Sequence, residues 1–358
     1  MLSERKKKIL RAVVNENIKK PQAVSSRDLK EKYLEDVSTA TIRNDLMALE
    51  EMGYLFQPHT SAGRVPTAEG FKKYISELMT EQELTEEEVK ELKKEFSSRI
   101  NGVEDLAQVV ARSISSVSEY ASVVYINELM PAVVESVKLV RLVDEEVLVI
   151  VVTDVGVMKD LMITVNEDLS DNDLVVASKF LNQVLAGKTL LEAGAEETIY
   201  ELGLLGERYK DLFSLVLDAI KNKESKPIFK VEGTSNLLSH PEYDNPEKAR
   251  KTLKLFESKE VLAPLLETGN DVEISIKVGE DTNENCSVVS ATYKINGKSV
   301  GRAGIVGPVR MDYAKAVSIL KSVNSVIDDG FKNNKNILKG DKDEPRKRIA
   351  GRRTEKEN

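Results

Sequence analysis

Cysteine and histidine are scarce in this chain. A single cysteine, Cys286, excludes an internal disulfide framework and fits a reducing cytoplasm. Two histidines, His59 and His240, cannot join one cysteine in a convincing transition-metal site, and no EF-hand loop is present. Long apolar runs are missing too: none approaches the ~20 residues that span a bilayer, so no membrane partner is expected. The basic start, MLSERKKKIL, leads into no apolar core, which argues against a secretory signal. No nucleophile–base pair, Walker loop or GxGxxG emerges, so a non-enzyme without cofactor is expected.

What is present is a divided charge. The chain has 358 residues, enough for two or three domains, and a net charge of −8. Residues 1–75 hold 14 Lys+Arg against 10 Asp+Glu, and residues 332–358 hold 10 against 5. The span between is strongly acidic. A basic head and tail around an acidic body suit a polyanion bound at the ends.

The head carries the clearest local pattern. A first helix is predicted from near Ser3 to Asn17, with Ile9, Leu10, Val13 and Val14 facing inward. Pro21 interrupts, and Ser25 or Ser26 caps a second helix through Tyr33. Ser38 then caps a third, in which Ile42, Leu46 and Leu49 form the buried stripe and Ala40, Asn44 and Met47 lie opposite, with Arg43 on the flank. Gly53 stops it, and Tyr54–Gln57 pairs with Arg64–Pro66 around a polar tip, His59–Gly63. Three short helices closed by a basic hairpin are a winged helix-turn-helix, and double-stranded DNA is the expected partner. The competing structural reading is a three-helix bundle that binds a protein.

Candidate DNA-binding residues follow from this placement. Arg43 has the fork for guanine and Asn44 the amide for adenine, although Arg43 also suits a phosphate. Thr39 and Thr41 sit at the helix start, where hydroxyls and the dipole favour phosphate. In the wing, Thr60, Ser61 and the backbone around Gly63 can donate to phosphate, and Arg64 can reach a narrow minor groove. His59 is either a phosphate contact or a turn histidine bonded to the wing backbone. Arg5, Lys6, Lys7 and Lys8 read as a solvated helix face.

The stretch SxATIRNDLxxLEExGYLxQPHTSAGRVPTxxGFxxYI, from Ser38 to Ile75, closely resembles the N-terminal domain of the HrcA family of bacterial heat-inducible transcription repressors. VEGTSNLLSHPEY (Val231–Tyr243) and GIVGPVRMDYAKAV (Gly304–Val317) resemble the same family, so the likeness covers most of residues 1–330. The resemblance implies a winged helix-turn-helix, a GAF-like domain and an inserted helical dimerisation domain. It also implies a homodimer on the CIRCE inverted-repeat operator upstream of chaperone operons. Release at heat shock and an active form favoured by the GroEL chaperonin belong to the same implication.

The rest of the chain reads as α+β, an antiparallel sheet with helices segregated to its faces. Thr67 caps a helix to about Met79, Thr85-Glu86-Glu87-Glu88 fits a capping box, and Val103–Val117 is amphipathic. Strands are expected at Ala121–Ile126, Val137–Leu142, Val147–Val152 and Val157–Val165, then at Val272–Lys277, Ser287–Ile295 and Ser299–Val306, with Asn296-Gly297 as a hairpin turn. Helices are expected at Ser170–Leu185, Glu207–Lys221, Pro246–Leu266 and Met311–Ile327. The resulting division is 1–80 winged helix, 81–120 helical connector, 121–165 first part of the GAF-like domain, 166–225 inserted dimerisation domain, 226–331 second part, and 332–358 basic disordered tail. PRKR and GRR in the tail are either a phosphate-attracting patch or solvated charge.

A second function class remains open: a metabolite sensor that uses the GAF-like body as ligand domain. Gly301, Gly304 and Gly307 beside Arg302 and Arg310 suggest a phosphate cradle, against the commoner role of glycine in close strand packing. Asp312 and Tyr313 open the last helix, where Asp suits the positive dipole end. Cys286 has no histidine nearby in sequence and reads as a buried thiol.

Overall fold

The structure is a computed structural model and describes residues 2–60, 62–96, 103–126, 133–143, 145–154, 156–165, 169–193, 195–222, 227–267, 273–282, 286–295 and 298–340. The expected turn at Asn296-Gly297 lies outside these residues, as do the tail motifs after Gly340.

The head forms from α1 (Glu4–Lys19), α2 (Ser26–Tyr33), α3 (Thr39–Glu51), β1 (Leu55–Phe56), β2 (Val65–Pro66) and α4 (Ala68–Glu77). Each helix starts where a hydroxyl side chain takes a free backbone N–H. Ser3 accepts from Lys6, Ser25 from Asp28, Ser38 from Thr41 and Thr67 from Gly70. Asp28 answers Ser25 to complete a capping box. Gly53 at φ +79° ends α3. Ile9, Leu10, Val13, Leu29, Ile42, Leu49 and Phe71 are buried together as the head's core.

Two connector helices follow, α5 (Glu86–Glu95) and α6 (Val103–Ser118). Thr85 and Glu88 form the expected capping box. The connector lies against the last helix of the chain, with Lys315 paired to Glu88 at 2.7 Å and Lys321 to Glu81.

The body departs from the expected single sheet. It begins with β3 (Ala121–Ile126), then β4 (Val134–Val143), β5 (Glu146–Thr153) and β6 (Gly156–Thr164). Helices α7 (Asp171–Leu185), α8 (Leu190–Ala193), α9 (Glu196–Leu205) and α10 (Lys210–Asn222) come next. The chain continues through β7 (Ile228–Glu232), α11 (Thr234–Leu237), α12 (Pro246–Leu255), α13 (Lys259–Leu266), β8 (Ile274–Val278), β9 (Cys286–Ile295), β10 (Lys298–Pro308) and α14 (Tyr313–Gly340).

Two antiparallel sheets result, one ordered β7-β3-β10-β9-β8 and the other β4-β5-β6. Residues 121–165 therefore do not form one block: β3 joins the large sheet, while β4–β6 make a separate meander with α7–α10. Burial records the difference. β3 is an inner strand buried on both faces, whereas β4 and β5 alternate between buried and more exposed positions. The backbone edge of β4 is bonded by α7 and the turn after it. Asn182 and Ser178 bond to Val137 and Leu139, and Val134 exchanges backbone bonds with Gly187 and Lys188.

The large sheet is covered on both faces. Val124, Val289, Ala291, Tyr293 and Ile305 face the α6–α14 side, and Val123, Cys286, Val288 and Val306 face α11–α13. The expected helix Pro246–Leu266 is two helices, because the chain turns extended at Ser258 before restarting. The last helix begins at Tyr313 and runs to Gly340, well past Ile327. Asp312 stands just before it and accepts from Lys315 N at 3.0 Å, so its carboxylate serves as the cap.

Candidate DNA interface

The outer stripe of α3 is the open surface of the head. Ala40, Arg43, Asn44 and Met47 are all exposed and follow at helical spacing, so they share one face. Arg43 and Asn44 have no side-chain partner among the described residues. Thr39 is half-buried, and the Thr41 hydroxyl is engaged with Ser38 at 2.8 Å.

The stripe is aimed by a contact between distant residues. Asp45, 5% exposed on the inner side of α3, receives Arg5 from α1 through Nε at 2.5 Å and Nη2 at 3.4 Å. Arg5 is thus no idle member of a solvated face; it ties α1 to the recognition helix. Unpaired, a carboxylate so buried would be costly. Nothing in the spacing of residues forty apart announces the pair.

A second fastener joins α1 to α2. Glu16 accepts from Lys32 at 2.6 Å and from the Tyr33 hydroxyl at 2.7 Å. The Lys32 hydrogen bond, then that of Tyr33, holds the Glu16 carboxyl below the usual carboxylate range. Burial first, and Glu16 second, push Tyr33 up to about 12.

The wing has a third pairing that the hairpin alone does not suggest. Leu55 pairs with Pro66 and Phe56 with Val65, and Val24 from the α1–α2 connection bonds both ways to Arg64 at 2.9 Å. A Cβ on Gly63 would lie 2.2 Å from the Val24 carbonyl oxygen, so only glycine admits this approach. The expected phosphate approach at Gly63 is therefore occupied by the protein's own backbone. Gln57 braces the tip by donating to the carbonyls of Thr60 and Ala62 at 3.0 and 2.9 Å. His59 and Thr60 stand exposed there, while Ser61 lies outside the described residues.

Arg64 does not extend toward a groove. Its side chain is only 13% exposed, and Nε and Nη2 hold Glu50 of α3 at 2.9 and 2.8 Å. Two nitrogens on one carboxylate oxygen clamp the wing to the recognition helix. Thr67 closes the hairpin by donating to Gly53 O at 2.6 Å while capping α4. Gln57, Gly63, Arg64 and Thr67 thus serve the head's internal structure.

The body's glycine stretch does not form a cradle. Cβ atoms at Gly301 and Gly304 would lie 2.4 Å from Tyr125 O and 2.3 Å from Leu266 Cδ2. That space belongs to strand and helix packing. Arg302 donates to Leu266 O at 3.1 Å, and Arg310 is held by Glu242. Among the described residues no group of three His, Cys, Asp or Glu could hold a metal ion, and Cys286 is buried.

The chain has relatives across its length. A family model described as the HrcA protein C terminal domain matches residues 104–317. A heat-inducible transcription repressor HrcA of Acetivibrio thermocellus is 34% identical over 334 residues, spanning 90% of this chain and 95% of that protein. One of the same name from Clostridioides difficile is 33% identical over 335 residues, spanning 91% and 98%. A crystal structure described as a hypothetical protein at 2.2 Å resolution is 23% identical, with a TM-score of 0.60 over 93% of this chain and 99% of that one, and so shares the fold. From the braced winged helix through the split body, the chain belongs to the HrcA family of heat-inducible transcription repressors.

Proposed function

We propose that the chain represses class I heat-shock (chaperone) operons as a cytoplasmic homodimer bound to the CIRCE inverted repeat, without catalysis. The observation that carries this reading is the exposed Arg43–Asn44 stripe on a helix pinned from behind by Arg5–Asp45 and from the side by Glu50–Arg64. A helix so fixed offers bidentate groups to major-groove edges without paying to order itself. The wing tip, with His59 and Thr60 outermost, meets the adjacent phosphates.

Two-fold pairing lets two such helices meet matching half-sites. The inserted unit, taken as residues 133–222 from the sheet topology, is the dimerisation element. Its exposed Val140, Leu142, Met162, Tyr200 and Leu204 support that role, since apolar side chains of this size in one small unit favour burial against a partner. On heating, a marginally stable body populates inactive forms, and GroEL occupied by other clients restores fewer of them.

A gel shift on a CIRCE duplex over a salt series, beside a scrambled duplex, tests the reading. Preferential binding to CIRCE that weakens with salt is expected; equal binding to both duplexes would end it. The metabolite-sensor reading keeps one observation, a cleft of about 520 Å³ between head and body. A shift that depends on added metabolite would favour it.

A further inference from the structure

The two later stretches that resemble the family, Val231–Tyr243 and Gly304–Val317, carry no DNA contact, yet they meet beneath the head. Arg310 stands in the turn between β10 and α14, with its side chain 12% exposed. Its Nε and Nη2 donate to the Glu242 carboxylate, the latter at 3.2 Å, and Nη1 donates to the Ile18 carbonyl at 3.1 Å. Ile18 lies in the last turn of α1, where carbonyls lack intrahelical partners and a cation is favoured. One planar guanidinium therefore joins the body's Glu242 to the end of a head helix, which an ammonium could not match in geometry.

The Glu242 turn is itself anchored. His240 stacks on Tyr120 with ring centroids 5.0 Å apart, and the Tyr120 hydroxyl accepts from Asp312 N at 3.3 Å. Asn236 donates to Ser115 Oγ of α6 at 3.2 Å. Elsewhere the head touches the body through Lys72–Asp281 at 3.0 Å and through Phe71 near Tyr313. Beside Arg310 the two halves stand apart around the 520 Å³ cleft, which Pro66, Phe71, Tyr243 and Lys251 help to line. On the α4 side head and body share one buried apolar cluster, in which Phe71 and Tyr74 join Met311 and Tyr313. On the α1 side the cleft interrupts that packing, and the Arg310 fastener bridges it.

We propose that Arg310, held by Glu242, is a positioning residue that fixes the angle of the DNA-binding head on the body. The consequence for paired half-sites rests on the repressor reading. Two heads held at fixed angles bind two half-sites with high effective concentration only at the matching spacing.

The test uses the full chain with Arg310→Ala, Arg310→Lys and Glu242→Gln, the last keeping shape while removing the charge. Spin labels go on Glu35→Cys in the head and Lys259→Cys in the body, both exposed, since the lone native Cys286 is buried. Labelled protein diluted into unlabelled protein isolates the distance within one chain. The parent should give a narrow distance distribution, and Arg310→Ala and Glu242→Gln a broad one, with Arg310→Lys between. On CIRCE duplexes whose spacer changes one base pair at a time, these variants should lose about tenfold at the native spacing and show a flatter spacing profile. Their affinity for a single half-site should stay unchanged. Unbroadened distances with an unaltered spacing profile overturn the proposal, and so does an equal loss on half-site and full site with narrow distances. Should the parent ignore CIRCE while the variants still broaden the distance, the repressor reading fails and the positioning role stands.

Discussion

The recognition helix and the wing treat their arginines in opposite ways. Arg43 is exposed and unpaired among the described residues, whereas Arg64, 13% exposed, is spent on Glu50. Both side chains carry the same charge and the same fork. The difference is the neighbourhood: Arg64 stands across from a carboxylate in a partly desolvated crease, where a doubly bonded pair outlasts one in open water. The comparison teaches that a basic residue in a DNA-binding motif serves the surface only if no internal carboxylate claims it. Arg5 and Arg310 repeat the lesson, each holding two elements together.

The largest effect that would sharpen this contrast is in the wing's carpentry. Gly63→Ala should cost about 1–3 kcal/mol of head stability through the clash with Val24 O. Thermal melting of the chain would register it; an unchanged melting curve would mean the third pairing is dispensable. Next comes the open stripe. Arg43→Ala should remove about 1–3 kcal/mol of preference for CIRCE over scrambled duplex in competition gel shifts, while Lys6→Ala barely changes it. Equal losses at the two positions would undo the assignment of base readout to α3.

A double-mutant cycle at Arg64→Ala and Glu50→Ala tests the clamp itself. Stability measurements should give a coupling of about 0.5–3 kcal/mol. Additive losses, with Glu50→Ala tightening DNA binding, would return Arg64 to the groove. The smallest expected effect is acid sensitivity at Glu16. Its folded pKa is depressed, so its contribution is present above the ordinary carboxylate range and is lost as pH falls through the folded value. Glu16→Gln should lower stability at neutral pH and flatten the acid limb of a melting-temperature profile. An acid limb of unchanged steepness would show that other carboxylates carry it.

Local signals survived the passage from sequence to structure because they act over three or four residues. Ser25, Ser38, Thr67, Thr85 and Ser170 all cap the helices expected of them, since a hydroxyl and the N–H it satisfies are neighbours in the chain. The winged helix, assembled from such pieces within eighty residues, was legible for the same reason. The sheets were not. β3 and β4 are both rich in Val and Ile, and composition does not say which partner a strand will find. A signal existed in Glu135 and Lys138, exposed polar residues that mark a strand with one wet face, against β3, where Ser122 alone breaks the apolar run.

By itself, then, the sequence determined the hydroxyl-capped helix starts, the outward stripe of α3 and the existence of the wing, because each depends on periodicity and near neighbours. Only the tertiary structure decided what the arginines do. Arg5 with Asp45, Arg64 with Glu50 and Arg310 with Glu242 are pairs between separate elements. Their geometry arises when the core closes and water leaves the crease between them, which no spacing along the chain encodes.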